Sequence, residues 1–309
     1  MERIFAARIK NEEILMKCSS GGAFLGIASQ FDFVICSVYD YKANSQRFVV
    51  VHEQTELKNA VGSKYIESNL AGIFREAEKL ANENPDKSIL FVGMGCQAAG
   101  FTKYVEKKGI RERFCVVDII CHGVPSAKIW REYAKLLGEF SFLTFKDKTD
   151  GWSSPRAYVK IDDEEKSINP FVRIYYDGVI LRPACYECRF ARINRVTDMT
   201  IGDFWNIENN IPDFYSERGT SLVIVHSDKG LNIWENINDE YEWRECSREQ
   251  CWQENLEYPT ERPTYRDRFW KDYKRYGIQF VIKRYGTDCI DAKIMRKIRF
   301  VMEKLRING

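Results

Sequence analysis

The sequence predicts an α/β (α+β) protein in which helices flank a mixed β-sheet, with a basic helical region at the C-terminal end. Three observations predict it. Runs of strand length recur through the first two-thirds of the chain, several of them end at glycine turns, and helical patterns follow those turns. The 309 residues are 44% hydrophobic and 30% charged, which is an ordinary composition for a folded domain.

The first strands are apolar or β-branched runs at residues 33–38, 47–51, 88–92 and 114–120. The sequence predicts a helix over residues 97–108, and Ser126 is a favourable N-cap for a second helix that extends to Leu137. Fewer helices separate the later strands, which indicates an antiparallel or mixed extension of the sheet. These later strands are predicted at residues 142–146, 156–161, 171–176, 198–202 and 221–226.

The C-terminal part differs from the rest in charge. From Arg262 to Gly309 the chain has 14 Lys and Arg against 5 Asp and Glu, whereas the remainder has 33 against 40. Ile290, Ile294, Ile298 and Met302 are spaced by four, which is typical of an amphipathic helix. We therefore expect one domain over residues 1–230 and a helical region over residues 231–309. Its basic face is either solvated or a peripheral contact with anionic lipid or an acidic partner.

Composition excludes several functional classes. The net charge of +2 gives no reason to expect nucleic acid binding. No apolar run approaches the ~20 residues of a membrane span. The first seven residues, MERIFAA, lack the apolar stretch of a signal peptide, so we expect a cytoplasmic protein.

Ten cysteines are the most informative feature of the composition. The cytoplasm disfavours disulfides, so most of them should be buried thiols, and Cys36 and Cys115 lie inside apolar runs as core residues would. Cys185 and Cys188 form a C-x-x-C on a predicted loop, a spacing shared by redox dithiols and metal sites.

Two further cysteines follow predicted strands directly. Cys96 comes after the strand at 88–92, and Cys121 comes after the strand at 114–120. Loops at the carboxyl ends of strands build the ligand crevice of open α/β sheets, so these two can converge with Cys185 and Cys188. Four thiolates suit a zinc ion or a [4Fe–4S] cluster, and spacing alone leaves both open, together with the absence of a metal.

Serine and glycine precede the first amphipathic helix. Ser19, Ser20, Gly21 and Gly22 would present backbone N–H groups to phosphate, although an ordinary N-cap has the same composition, and Lys64 offers a cation in a second glycine loop. Further along, Thr200, Gly202 and Asp203 precede Phe204 and Trp205. There the glycine permits close backbone approach, and the aromatic rings can wall a planar ligand or fill the core. Positive charge flanks the C-x-x-C at Arg182, Arg192 and Arg195.

Six motifs in this order resemble the coenzyme F420 hydrogenase/dehydrogenase beta-subunit family, and the resemblance covers roughly residues 1–230. They are CSSGGAF at 18–24, GSKY at 62–65, GCQAAG at 95–100, DIICHGVPS at 118–126, RPACYEC at 182–188 and DMTIGDFW at 198–205. The sequence departs from the family at Gly93-Met94-Gly95-Cys96, where Gly-Thr-Pro-Cys is usual.

The resemblance implies an iron–sulfur flavoprotein oxidoreductase. It implies that Cys96, Cys121, Cys185 and Cys188 bind a [4Fe–4S] cluster. It also implies that FAD, or FMN, contacts the loop from Ser19 to Gly22, Lys64 and the segment from Thr200 to Asp203. In the family, the flavin exchanges electrons with the cluster and a hydride with the deazaflavin coenzyme F420. This chemistry belongs to the cofactors and requires no side chain as acid or base, so no catalytic residue is assigned.

The chain lacks the C-x-x-C-x-x-C runs of the ferredoxin segment that many similar proteins have. We therefore expect a separate ferredoxin-like electron carrier or another soluble redox partner. Relatives that occur beside surface-polysaccharide genes suggest a link to that biosynthesis. The alternative is a zinc-stapled or metal-free binding or assembly module on the same fold.

Overall fold

A computed structural model describes residues 2–287. The described residues form twelve strands: β1 Arg3–Ile9, β2 Phe33–Asp40, β3 Ser45–Val51, β4 Ser68–Asn69, β5 Ile89–Met94, β6 Phe114–Ile119, β7 Phe142–Asp147, β8 Arg156–Ile161, β9 Glu164–Ser167, β10 Met199–Asp203, β11 Ser221–Val225 and β12 Tyr241–Glu245. Nine α-helices lie in the same part of the chain: α1 Glu12–Lys17, α2 Ala23–Ala28, α3 Ile73–Glu83, α4 Gly95–Lys107, α5 Ala127–Leu137, α6 Asn169–Tyr176, α7 Ile207–Asn210, α8 Asp228–Ile237 and α9 Arg266–Gly286.

Nine strands form one mixed sheet in the order β12-β1-β11-β10-β6-β5-β2-β3-β4. Its centre is parallel, because β10 pairs with β6, β6 with β5, and β5 with β2 in the same direction. Strands β11, β1 and β12 continue it antiparallel on one side. The predicted mixed sheet flanked by helices is thus confirmed.

Helices cover both faces of this sheet, which explains why its central strands are almost wholly apolar. On one face, Phe101 of α4 stacks on Phe91 of β5 with ring centroids 4.0 Å apart. On the other face, Trp234 of α8 stacks on Phe5 of β1 at 4.9 Å.

A smaller antiparallel sheet, β7-β8-β9, packs with α5, α6 and α9 around a second aromatic core. The predicted strand at 171–176 is wrong, because these residues belong to α6. Phe171, Ile174 and Tyr175 are its buried positions, a spacing of three and four that fits a helix, and a proline stands in its first turn.

The helical region predicted over residues 231–309 also contains a strand, because β12 pairs with β1 at the edge of the large sheet. Helix α9 is interrupted at Gly277, whose φ is 79°. The helical pattern predicted over Ile290–Met302 lies outside the described residues. Among those described, none of the helices is long and apolar enough to cross a membrane.

Candidate functional site

A cavity of about 650 Å³ opens where β5, β6 and β10 end. The last residues of these parallel strands form its floor, together with the loop after β6. The segment 252–255 and helix α6 contribute further wall residues. Both its size and its place at the carboxyl ends of parallel strands are typical of small-molecule sites in α/β proteins.

The predicted serine–glycine loop forms one wall. Ser19, Ser20 and Gly22 line the cavity. The Ser19 hydroxyl accepts a hydrogen bond from the Ser63 N–H at 2.6 Å, and the Ser20 hydroxyl donates to the Thr220 carbonyl at 2.7 Å. Gly21 lies behind this wall: a Cβ there would come within 2.1 Å of the Ala7 carbonyl oxygen, so only glycine lets the loop approach β1.

Lys64 lines the same cavity with its ammonium turned onto the backbone. Its Nζ donates to the carbonyl oxygens of Ala60 at 2.7 Å, Gly62 at 3.0 Å and Val61 at 3.3 Å. Burial lowers the pKa of Lys64 to about 8. Lys64 therefore fixes the turn of residues 60–62 and adds positive charge to the wall.

The C-terminal end of strand β10 reaches the cavity. Gly202 and Asp203 line it, whereas Thr200 is fully buried beneath and bonds its hydroxyl to His226 Nε2 at 2.8 Å. Gly202 is required by the neighbouring loop, because a Cβ there would lie 2.8 Å from the Ile120 side chain. Asp203 Oδ1 accepts hydrogen bonds from Lys146 Nζ at 2.6 Å and Trp152 Nε1 at 3.2 Å.

Sequence reasoning missed Gln253, which lines the cavity, and Lys146, which holds Asp203 from outside the lining, and it left the role of Trp205 open. Gln253 and Lys146 were not predicted, since nothing in their sequence surroundings distinguishes them from surface residues. Trp205 was considered as a core or wall residue, and it lines the cavity, half-exposed, with its ring stacked on Trp152 at 5.0 Å and 7°.

The structure brings the four predicted cysteines into one neighbourhood. Cys96 lies in the first turn of α4, Cys121 directly after β6, and Cys185 and Cys188 at the short 3₁₀ turn Pro183–Glu187. Burial, together with the charges of the other three thiols, raises the pKa of Cys121 to about 12. Burial also raises the pKa of Cys96, with Cys188 and Cys185 adding to the shift. Mutual electrostatic effects of this kind require that the thiols lie close together.

A hydrogen-bond donor and a guanidinium group act on Cys185, and a second guanidinium lies near Cys96 in sequence, at Gly95. The Val124 N–H donates to Cys185 Sγ at 3.3 Å. Burial raises the pKa of Cys185, while that hydrogen bond and the charge of Arg182 oppose the rise. Arg195 lies across the start of α4, where a Cβ on Gly95 would come within 2.3 Å of its Nη1.

In the part of the chain that the structure describes, no three His, Cys, Asp or Glu side chains are close enough to bind a single metal ion. Cys36 and Cys115 are buried in β2 and β6, as predicted for core thiols, and Cys36 also borders the cavity.

These features define an α/β protein with a ligand-sized cavity at the ends of its parallel strands and four convergent cysteines beside it. The sequence profile of the C-terminal part of the coenzyme F420 hydrogenase/dehydrogenase beta subunit matches residues 86–249, just over half of the chain. The chain therefore belongs to this family, whose members are components of oxidoreductases that take part in electron transfer.

The fold is also similar to a solved one. The match is a chain in the structure of the xenon-derivatized F420-reducing [NiFe] hydrogenase complex from Methanosarcina barkeri. The TM-score is 0.55 at 16% sequence identity, over 89% of this chain and 93% of that chain. A search of curated proteins gave no match.

Proposed function

We propose that this chain is an iron–sulfur flavoprotein oxidoreductase that passes electrons between a [4Fe–4S] cluster, a flavin and a soluble redox partner. The observation that carries the proposal is the position of Cys121. This residue lines the cavity, and its thiol also interacts electrostatically with Cys96, Cys185 and Cys188. A group bound by the cysteines and a group bound in the cavity would therefore be neighbours.

The chemistry of the donor set supports a cluster bound by Cys96, Cys121, Cys185 and Cys188. Cysteine thiolates are the usual ligands of a [4Fe–4S] cluster. The hydrogen bond from the Val124 N–H and the positive charge of Arg182 oppose the effect of burial on Cys185 and favour an anionic cluster there.

The cavity supports FAD, or the smaller FMN, as its occupant. Its volume of about 650 Å³ lies within the range of cofactor pockets. Six of the eight residues predicted as flavin contacts line it, and these are the contacts we propose: Ser19, Ser20, Gly22, Lys64, Gly202 and Asp203. Gly21 and Thr200 would support the wall from behind, since both are packed against the backbone or core.

A flavin supplies the conversion between one-electron and two-electron transfer when it is bound. The protein's own contribution is to hold the two sites together and to exclude water. Tyr65 and Tyr175 stack with ring centroids 4.5 Å apart on the wall beside Cys121. The Tyr175 hydroxyl donates to the Gly123 carbonyl at 3.2 Å, which fixes the loop that carries Cys121.

We propose a ferredoxin-like carrier as the one-electron partner and a deazaflavin such as coenzyme F420 as the two-electron partner. Support comes from the family and from the similar chain, which belongs to a hydrogenase complex that reduces F420.

Anaerobic purification with a visible spectrum and assays of iron, zinc and flavin on one sample tests the proposal. We expect roughly four iron atoms per chain together with flavin. Cys185→Ala should lose the iron, whereas the matched control Cys115→Ala, a thiol in the core of β6, should keep it. Full iron in the Cys185 variant would contradict the ligand set. Zinc without flavin would instead favour a zinc-stapled binding module.

A further inference from the structure

Asp203 is a carboxylate with one oxygen fixed by the protein and the other free of it. Oδ1 accepts from Lys146 Nζ at 2.6 Å and from Trp152 Nε1 at 3.2 Å. Oδ2 makes no hydrogen bond to any residue in the described part of the chain, although the side chain is only 19% exposed and lines the cavity. An acceptor is thus presented to whatever occupies the cavity.

Lys146 makes this arrangement rigid. Its side chain is fully buried, and its Nζ lies 4.4 Å from the ring centroid of Trp205 and 5.1 Å from that of Trp152. A buried ammonium needs a charged partner, so the pair fixes the orientation of the Asp203 carboxylate. The stacked tryptophans limit how far the lysine can move.

Gln253 offers the complementary donor on the same wall. Its Oε1 accepts from the Trp205 N–H at 3.1 Å, which fixes the sense of the amide. Its Nε2 is buried and has no hydrogen-bond partner among the described residues, and Gln253 is only 4% exposed. A buried donor without a partner destabilises the fold, so a missing acceptor is expected there.

We propose that Asp203 and Gln253 read the imide edge of a planar heterocycle, that is, a ring N–H adjacent to a ring carbonyl. Asp203 accepts from the N–H, Gln253 donates to the carbonyl, and Trp205, which connects the two through its backbone, borders the ring. This inference rests on the proposed function, because flavins and deazaflavins carry such an edge. It places the ring at the β10 side of the cavity and the rest of the ligand toward Ser19 and Lys64.

An N-methylated imide tests this directly, because the methyl group removes the donor and faces the carboxylate. The full-length protein is equilibrated with equal amounts of FMN and N3-methyl-FMN, and the bound flavins are quantified by chromatography. A hydrogen bond to a charged acceptor predicts at least about a tenfold preference for FMN.

Variants separate the two wall residues. In Asp203→Asn the side-chain oxygen still accepts from Lys146, so the NH2 group of the new amide faces the ring N–H. Two donors then face each other, and the preference for FMN over N3-methyl-FMN should fall below about threefold. Gln253→Met should weaken both flavins to a similar extent and keep the preference. Glu208→Gln, an exposed carboxylate on α7 outside the cavity lining, is the matched control and should change neither.

The outcomes distinguish this inference from the proposed function. Flavin binding by the unmodified protein without an N3 preference overturns the inference and leaves the flavoprotein intact. An equal preference in Asp203→Asn and in the unmodified protein overturns the role of Asp203. Failure of the unmodified protein to bind either flavin overturns the proposed function itself.

Discussion

Replacement of Arg195 by methionine is expected to destabilise the protein through a single buried carboxylate. The side chains of Arg195 and Asp118 are 3% and 1% exposed, and Nη1 lies 3.6 Å from Oδ1. The other carboxylate oxygen accepts from Thr197 Oγ1 at 3.0 Å. Methionine occupies similar space without charge, so the variant leaves Asp118 buried with only neutral threonine hydroxyls as partners.

The size of the effect follows from this geometry. Two unit charges 3.6 Å apart attract by about 5 kcal/mol at an effective dielectric constant of about 20. Removing one partner of a buried pair typically costs about 3–5 kcal/mol, because the other charge remains without compensation. Burial already raises the pKa of Asp118, so protonation of the unpaired carboxyl limits the loss toward the lower figure.

Thermal unfolding under anaerobic conditions at pH 7 measures the loss of stability in Arg195→Met. At roughly 2 °C per kcal/mol for a chain of this size, the midpoint should fall by about 6–10 °C. Asp118→Asn removes the charge from the other side, and the double variant should be clearly more stable than the sum of the single losses predicts. A fall of less than about 2 °C in Arg195→Met, or strict additivity, would refute the assignment of this pair as a coupled buried charge pair.

Two further predictions concern the support of the cavity wall. Burial lowers the pKa of His226 to about 4, so the folded protein binds its proton less well than the unfolded chain, and stability is lost as the pH falls from about 6.5 toward 4. The loss of stability is about 2 kcal/mol at pH 5. Between pH 7 and pH 5 the midpoint of thermal unfolding should therefore fall by about 4 °C less in His226→Gln than in the unmodified protein. In Gly21→Ala the new Cβ would overlap the backbone at Ala7 and Ser221, at 2.1 and 2.4 Å, so the midpoint should fall by more than about 4 °C. At Gly100, in helix α4, a new Cβ would lie 4.0 Å from its nearest neighbour, Phe74, so Gly100→Ala should change the midpoint by less than about 2 °C. Equal effects of the two substitutions would contradict the close packing at Gly21.

Local sequence was sufficient to predict the elements that carry the cysteines. Strands β5 and β6 are largely apolar runs that are followed within two residues by Cys96 and Cys121, so these cysteines could be assigned to strand ends, and parallel pairing then brings these ends together. The wrong strand at 171–176 shows the limit of this reasoning. A short apolar run is compatible with the hydrophobic pattern of a strand and with that of a helix. Only Pro170 and the spacing of the buried residues Phe171, Ile174 and Tyr175 favour a helix.

The contacts that hold Asp203 and Trp205 could not be predicted in the same way. Lys146 stands on a strand and reads as a solvent-facing lysine, yet its side chain is fully buried because Asp203, 57 residues away, compensates its charge. Gln253 comes from a segment without regular structure beyond a single 3₁₀ turn, and its position depends on one hydrogen bond to Trp205. Contacts of this kind depend on pairing across the fold, which a single sequence does not contain.

The loop that follows β6 explains how the cavity and the cysteines can influence each other. Cys121 begins this loop, and Gly123 adopts a φ of 146°, with so little room that a Cβ would lie 2.6 Å from the Leu181 side chain. Two backbone hydrogen bonds of Val124 connect this loop to the C-x-x-C turn. The Val124 N–H donates to Cys185 Sγ at 3.3 Å, and the Val124 carbonyl accepts from the Arg182 N–H at 2.9 Å. A displacement of Cys185 would therefore also move the loop at the cavity floor. The proposed cluster site and the cavity thus keep a fixed separation without a flexible connection between them.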